Sequence, residues 1–190
     1  MSDDVAPPDA SSADALPVTV RLEVTGDEPG VRDVELAAFA GPEEAAIVDR
    51  IRAEAPAGWL SLVAVDASGA IVGHLLLSPC PVEDEEGSML ATVLAIGPVA
   101  VQPSVQYRGV GSALMHAAMS LAIARGAPAL VLLGHADYYP RFGFGSARDV
   151  GLQPPAEAWP DDVWMARRLP AWDESMRGIV RYPEAFGPLA

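Results

Sequence analysis

The feature that most constrains this chain is an apolar strand that leads through a short turn into a helix beginning with glycines. The apolar run covers residues 89–101, and the turn ends at Gly109-Val110-Gly111. The first amides of a helix lack intrahelical acceptors and carry the positive end of the helix dipole. Glycines let a phosphate approach such amides closely. The segment therefore predicts an anion site, called here the glycine cradle (residues 106–112), at the start of a helix over 109–125.

The strand itself is predicted to be buried on both faces and to contain an irregularity at Gly97-Pro98. Proline cannot donate to a ladder and glycine tolerates unusual torsions, so the pair predicts a bulge that parts this strand from a neighbour. Apolar residues at helical spacing mark the buried face of the following helix: Val110, Ala113, Leu114, Ala117, Leu121 and Ala124.

Several nucleotide sites are incompatible with this sequence, although a tight turn without any ligand stays open. A dinucleotide fingerprint requires a third glycine where the chain has Leu114. A phosphate loop requires lysine, and all twelve basic residues are arginines. The absence of lysine also excludes a pyridoxal Schiff base. A phosphate held by backbone amides and Arg108 remains.

Two motifs in order give the chain a family resemblance. Gln106-x-x-Gly109-x-Gly111 after a Val-x-Val strand resembles the acetyl-coenzyme A motif of the GNAT N-acetyltransferase superfamily. Residues 138–144, Tyr-Tyr-Pro-Arg-Phe-Gly-Phe, resemble its second hallmark, a tyrosine four residues before Gly-Phe. The variant with Leu133-Gly134 ahead of the tyrosines is similar to the YhbS-type predicted acetyltransferases, and the likeness covers about residues 18–187.

The resemblance implies an α/β fold in which a mixed central sheet carries helices on both faces and a β-bulge splays two parallel strands. It implies transfer of an acetyl group from acetyl-CoA directly to an amine, with no metal. Val99 N–H would stabilise the thioester oxyanion, and Tyr139 would act as the general acid. The predicted acetyl-CoA contacts are Val99, Ala100, Val101, Gln106, Tyr107, Arg108, Gly109, Val110, Gly111, Ser112 and Tyr139.

The residue types suit these roles. A phenol with a pKa near 10 stays protonated at neutral pH and can donate to a departing thiolate. Tyr138 is the alternative acid. The general base is left open among His74, His135, Glu83, Glu85, Glu86 and water. Cys80 between two prolines is predicted to be a buried strand-end residue, and the histidines show no ligand spacing for a metal.

Composition bounds the remaining possibilities. A net charge of −14 argues against nucleic acid and favours a cationic acceptor. No run is long enough to span a membrane, and the single cysteine suits the cytoplasm. Residues 1–16 are predicted to be a disordered tail, and 17–190 one domain with a C-terminal extension from about 150. A homodimer is left open.

Pattern and turn residues predict the remaining elements. Strands are expected over residues 18–24, 59–65, 70–77, 129–133 and 163–169, and helices over 27–39, 42–55 and 135–142. Two functional alternatives are kept beside the amine acetyltransferase: a catalytically silent fold relative that senses acyl-CoA or binds a protein, and a nucleotide-binding domain, which the missing lysine and third glycine disfavour.

Overall fold

The computed structural model describes residues 15–155 and 159–187, which form nine strands and three α-helices. The helices are α1 (Glu28–Ala38), α2 (Glu43–Glu54) and α3 (Val110–Ala124). The strands are β1 (Thr19–Leu22), β2 (Leu60–Val65), β3 (Ile71–Glu83), β4 (Met89–Val101), β5 (Ala129–Leu133), β6 (Gly145–Ser146), β7 (Leu152–Gln153), β8 (Trp164–Arg168) and β9 (Gly178–Val180).

One mixed sheet runs in the order β1-β2-β3-β4-β5-β8-β6, with β9 paired to β3 and β7 to β9. Neighbouring β2 residues point to opposite faces, so Leu62 packs with α3 whereas Val63 packs with α1 and α2. The helices therefore cover both faces. This architecture confirms the predicted fold class.

Strand β4 contains the predicted bulge and then separates from β5. Leu75 of β3 pairs with Val99, but Leu77 pairs with Ile96, so β4 has one extra residue at Gly97-Pro98. The parallel register between β4 and β5 covers two pairs, ending at Ala95 and Val131, although both strands continue. The sheet is thus open between the ends of β4 and β5.

The C-terminal segment completes the edge of β3 where β2 ends. Pairing with β2 stops at Leu77, and β9 pairs with Val82 and Glu83. Between these points the Arg181 amide donates to the Pro81 carbonyl at 2.8 Å. Pro79 and Pro81 have no N–H to donate, so this part of the edge needs few partners.

The predicted elements are confirmed with four corrections. Strand β3 continues to Glu83, six residues beyond the predicted end at residue 77, because its last residues pair with β4 and β9. In α3 the buried face is Val110, Leu114, Met115, Ala118, Met119 and Ala122, because the flexible methionines fill the core better than the alanines that sequence spacing selected. The first residues of β4 are exposed, since they precede its pairing with β5. The predicted helix 135–142 is only a 3₁₀ turn at Tyr139–Phe142.

The domain boundaries stay predictions. Residues 1–14, which make up most of the predicted tail, lie outside the described residues, as do residues 156–158. The Leu16 amide donates to the Arg108 carbonyl at 2.9 Å, and its side chain packs on the α3 core. The packed chain therefore starts before the predicted boundary at residue 17.

A chain of polar side chains fastens α1 to the sheet. Glu35 of α1 and His74 of β3 are fully buried, with Glu35 Oε1 at 2.5 Å from His74 Nδ1. His74 Nε2 lies 2.8 Å from Ser61 Oγ of β2. Ser61 in turn donates to Glu23, which Arg52 of α2 binds at 2.7 Å. The contacts link both helices to β2, to β3 and to Glu23, the residue that follows β1.

Counting the available protons fixes the hydrogen-bond directions among these polar side chains. Since the single Ser61 hydroxyl hydrogen goes to Glu23, His74 Nε2 must donate to Ser61. A further proton is then needed between Nδ1 and Glu35. Burial raises the pKa of Glu35, and the hydrogen bond from His74 only partly opposes this. The hydrogen-bond geometry therefore places one proton between His74 Nδ1 and Glu35 Oε1.

Replacing Glu35 by glutamine should flatten the pH dependence of stability. A carboxyl whose pKa is raised by folding contributes stability that is full below its unfolded pKa and is lost as pH rises through the folded pKa. Glutamine mimics the protonated acid because its amide can donate to Nδ1. The free energy of unfolding of the wild type, relative to Glu35→Gln, should therefore fall as pH rises above the ordinary pKa of a glutamate. Denaturant unfolding measures this, at about 1.4 kcal/mol per unit of pKa difference.

The matched control is Asp33→Asn, which removes an exposed carboxylate from the same helix. The difference in unfolding free energy between Asp33→Asn and the wild type should vary much less with pH. A Glu35→Gln difference that stays constant with pH would show that the pair does not hold the inferred proton.

Candidate active site

The opening between β4 and β5 exposes backbone donors of β4. The Gln102 amide donates to the Val72 carbonyl of β3 at 3.0 Å. Because backbone groups of a strand point alternately to its two sides, the amides of Val99 and Val101 point away from β3. That side is the one from which β5 has diverged. Two predicted site residues thus present main-chain N–H groups to the opening.

Ala100 differs from its two neighbours. By the same alternation its backbone groups face β3, where it pairs with His74, and its side chain is fully buried. Of the predicted acetyl-CoA contacts in β4, the structure brings Val99 and Val101 to the opening and leaves Ala100 behind them.

The glycine cradle lies at the end of the same strand. Gly109 has a φ of 84° and precedes α3 without a side-chain cap among the described residues. The first intrahelical bond runs from the Ala113 amide to the Gly109 carbonyl at 2.9 Å. The amides of Val110, Gly111 and Ser112 therefore precede the helix ladder, and they form a donor set for an anion.

The turn before α3 supplies further polar groups. Gln106 Nε2 donates to the Val101 carbonyl at 3.2 Å, which agrees with a carbonyl directed away from β3. Tyr107 is 81% exposed and has a φ of 60°, a left-handed conformation that is uncommon for a residue with a Cβ. Arg108, which belongs to the cradle, is exposed. These residues place one cation and several donors near the first turn of α3.

Both predicted tyrosines lie at this site, in residues 138–144, called here the tyrosine turn. A Cβ on Gly111 would lie 2.8 Å from the Tyr138 hydroxyl, so this phenol contacts the cradle. Arg141 stacks on the Tyr138 ring at 4.9 Å. The Tyr139 ring instead lies against Gly134, just after β5, where a Cβ would be 2.3 Å from Cε2. Tyr138 thus contacts the start of α3, and Tyr139 contacts the residue that follows β5.

Tyr139 has the properties of a retained proton donor. Burial raises its pKa to about 12, and the neighbouring Tyr138 adds to the shift. Its ring packs edge-on against Tyr138 and Phe144, with centroids 5.0 and 6.1 Å apart. Its hydroxyl bonds to no other described residue, so it is available to a ligand.

The structure places the predicted general bases in different environments. His74 is fully buried with both ring nitrogens engaged, so it cannot contact an acceptor directly. Glu83 pairs with Arg181 at 2.9 Å, and Glu85 and Glu86 follow it in the β3–β4 turn. That turn is ten residues of β4 away from Val99, or about 30 Å. His135 is exposed and lies two residues after the end of β5.

Two other sequence expectations concern nucleophiles and metals. Cys80 is fully buried, but inside β3 rather than at its end, and burial raises its thiol pKa to about 12. Such a thiol is a poor nucleophile. The described residues contain no group of three or more His, Cys, Asp or Glu side chains that could hold a metal ion. No described helix has the length and hydropathy of a membrane span.

Sequence reasoning missed two residues that shape the site. Gly134 belongs to the family motif, but the sequence assigns it no function. In the structure the Tyr139 ring packs against it. Arg167 of β8 donates to the Phe142 carbonyl of the tyrosine turn. No local signal identifies Arg167, because its contact depends on the register between β8 and β5.

Comparisons with known proteins agree with this geometry. YjhQ of Escherichia coli K12, an uncharacterized N-acetyltransferase, is 33% identical over 178 residues, which cover 90% of this chain and 96% of YjhQ. The crystal structure of Escherichia coli YhbS with CoA matches with a TM-score of 0.80 and 27% identity, covering 93% and 95% of the two chains. A GNAT acetyltransferase from Brucella melitensis with acetyl-CoA gives 0.70 and 29%, covering 90% and 98%.

The sequence model of the acetyltransferase (GNAT) family matches residues 29–144. This range includes the opening of β4, the glycine cradle and the tyrosine turn, and it spans more than half of the chain. The chain therefore belongs to the GNAT acetyltransferase family.

Proposed function

We propose that the chain transfers an acetyl group from acetyl-CoA directly to the nitrogen of a small amine. The observation that carries this proposal is the meeting of two backbone donor sets, the β4 amides in the opening and the first amides of α3. A thioester with a diphosphate tail needs donors of both kinds. The CoA and acetyl-CoA complexes of the YhbS and Brucella structures support the choice of co-substrate.

The residues present fit this co-substrate. The amides of Gly111 and its neighbours would hold the diphosphate, with Gly111 leaving room for close approach. Val101 would pair with the pantetheine arm as an added strand, and Gln106 would share or release the Val101 carbonyl. Arg108 is the cation of the cradle, and it would locally oppose the repulsion between an anionic co-substrate and a chain of net charge −14.

The chemistry then needs few side chains. The amine nitrogen attacks the thioester carbonyl, and the Val99 N–H stabilises the oxyanion, an effect of about 3–4 kcal/mol for donors of this type. The C–S bond breaks as Tyr139 gives its proton to the sulfur. A cationic amine gives one proton to His135 or water before it attacks. Its nitrogen loses a second proton to water as the amide forms, and Tyr139 recovers one from solvent. Cys80 takes no part, which agrees with direct transfer.

The acidic composition and the single cysteine bear on the proposed acceptor and location. A small cationic amine suits the acidic chain, since the protein field would concentrate it near the opening. Nucleic acid and membrane partners are not part of the proposal. A cytoplasmic location stays a prediction from the single cysteine, and a homodimer stays open.

The decisive experiment is release of free CoA from acetyl-CoA by the pure protein with a panel of primary amines. Alcohols of matched size serve as the control panel. We expect release with at least one amine class and none with the alcohols, together with acetyl-CoA binding by calorimetry. Binding without release in any amine would favour an acyl-CoA sensor, and absence of binding would refute the cofactor assignment.

Removing the Tyr139 hydroxyl should slow turnover but leave acetyl-CoA binding nearly unchanged. The lost group acts mainly in the transition state, so Tyr139→Phe should lower kcat by about 10²-fold. Since the pKa of Tyr139 is about 12, the wild-type kcat should show no fall from its ionisation below about pH 11. Steady-state rates against pH measure both effects.

Tyr138→Phe is the matched control for this substitution. It removes the phenol that contacts Gly111, so it should weaken acetyl-CoA binding more than it lowers kcat. If Tyr138→Phe loses turnover and Tyr139→Phe does not, the acid has been assigned to the wrong tyrosine.

Adding one methyl group at Gly134 should displace Tyr139. A Cβ there would lie 2.3 Å from Cε2 and 3.0 Å from Cδ2, so the ring must move. Gly134 does not have a positive φ, so alanine causes no backbone strain. Gly134→Ala should reduce kcat at least tenfold, as expected when a general acid is misplaced, with the KM for acetyl-CoA within about twofold.

Gly145→Ala provides the control, because a Cβ at that position meets no atom within 4 Å. It should keep wild-type rates. Wild-type turnover in Gly134→Ala would mean that the observed position of Tyr139 does not matter for the reaction.

A further inference from the structure

Arg167 is a half-buried cation that contacts the tyrosine turn from behind. Its NH1 donates to the Phe142 carbonyl and lies 2.8 Å from Met119 Sδ of α3. A Cβ on Gly143 would be 3.6 Å from the Arg167 Cζ, so the guanidinium also packs against this glycine. The side chain therefore joins β8, α3 and the tyrosine turn at one point.

The environment of this cation is unusual for an arginine. No carboxylate in the described residues lies within 4 Å of its guanidinium. The adjacent Arg168 is exposed and pairs with Glu174 at 2.9 Å. An arginine removed from water without an ion pair must be held by its remaining hydrogen bonds. For Arg167 the strongest of these is the charge-assisted bond to the Phe142 carbonyl.

The tyrosine turn has few bonds of its own. It is a single 3₁₀ turn with a left-handed Gly143, and 3₁₀ hydrogen bonds have poorer geometry than those of an α-helix. Its flanks are fixed by the Gly134 amide, which donates to the Val163 carbonyl, and by pairing of Gly145 with Ala166. In the middle of the turn, the Phe142 side chain is buried in the core and its carbonyl is bound by Arg167.

We propose that Arg167 is a positioning residue, which holds the Phe142 carbonyl and thereby sets where the Tyr139 hydroxyl lies in the opening. The proposal rests on the proposed function, in which Tyr139 protonates the thiolate. Arg167 does not touch the reacting atoms and acts through the turn. A loss of its hydrogen bond leaves the turn held by its flanks and by the packing of Phe142 and Phe144 in the core, with none of the described side chains bound to the Phe142 carbonyl.

The test compares Arg167→Met and Arg167→Lys with the control Arg168→Met. Arg167→Met keeps the packing on α3 but removes the donor, so kcat should fall about tenfold, part of what a positioned general acid contributes. The KM for acetyl-CoA should change less than twofold. Arg167→Lys keeps a charged donor and should recover part of the rate. Arg168→Met should behave as the wild type.

A double variant separates positioning from general destabilisation. In a Tyr139→Phe background, Arg167→Met should cause no further loss of kcat, because the group that it positions is gone. Losses that multiply would overturn the proposal, and so would a wild-type kcat in Arg167→Met.

Hydrogen exchange gives a readout that does not require turnover. In Arg167→Met the amides of residues 141–144 should exchange faster than in Arg168→Met, while β4 and α3 stay unchanged. Equal exchange in the tyrosine turn would overturn the anchor even if the rates differed. If the wild-type protein releases no CoA with any amine, the proposed function fails, and exchange alone decides whether Arg167 fixes the turn.

Discussion

The separation of β4 from β5 is the constraint on which the rest of the site depends. A buried amide without an acceptor costs about 1–3 kcal/mol, so a sheet normally closes over its strands. Here the extra residue at Gly97-Pro98 prevents this, and the amides of Val99 and Val101 face an opening. The chain leaves β4 at the same place and starts α3 there, so a second set of amides converges on the first.

The tyrosine turn contacts both the end of β5 and the start of α3, and small residues decide where its rings lie. Gly134 leaves room for the Tyr139 ring and Gly111 for the Tyr138 hydroxyl. The burial that results from this packing also raises the pKa of Tyr139 to about 12. Position and protonation state of the phenol therefore have one physical origin, the packing of the turn against the end of β5.

Local patterns predicted most of the fold because each element carries its own signal. The apolar run gave β4 with both ends correct, and Gly126 and Pro128 ended α3 near the predicted residue. The Glu35–His74–Ser61 chain was beyond such reasoning, since its members lie on three elements and meet only when α1 packs on the sheet. A lone histidine in an apolar strand indicated burial but not its partners.

The same distinction applies to the site. Sequence motifs located the donors and the tyrosines because these occupy contiguous segments, whereas Arg167 contributes through strand register. Ala100 was predicted as a contact together with its neighbours, but strand alternation directs its backbone groups to β3. A motif therefore identifies a segment, and the alternation of the strand decides which of its residues face the opening.

A site made mainly of backbone places few demands on side chains. The amides of β4 and α3 are available whatever the residue, provided that the bulge, the helix start and two glycines are present. This agrees with the comparison to YhbS, in which 27% identity accompanies a TM-score of 0.80. On our proposals, the residues that must be specific are those that set the position of the phenol, namely Tyr139, Gly134 and Arg167. Differences in acceptor among family members can consequently arise from the remaining surface of the opening without any change in the transfer chemistry.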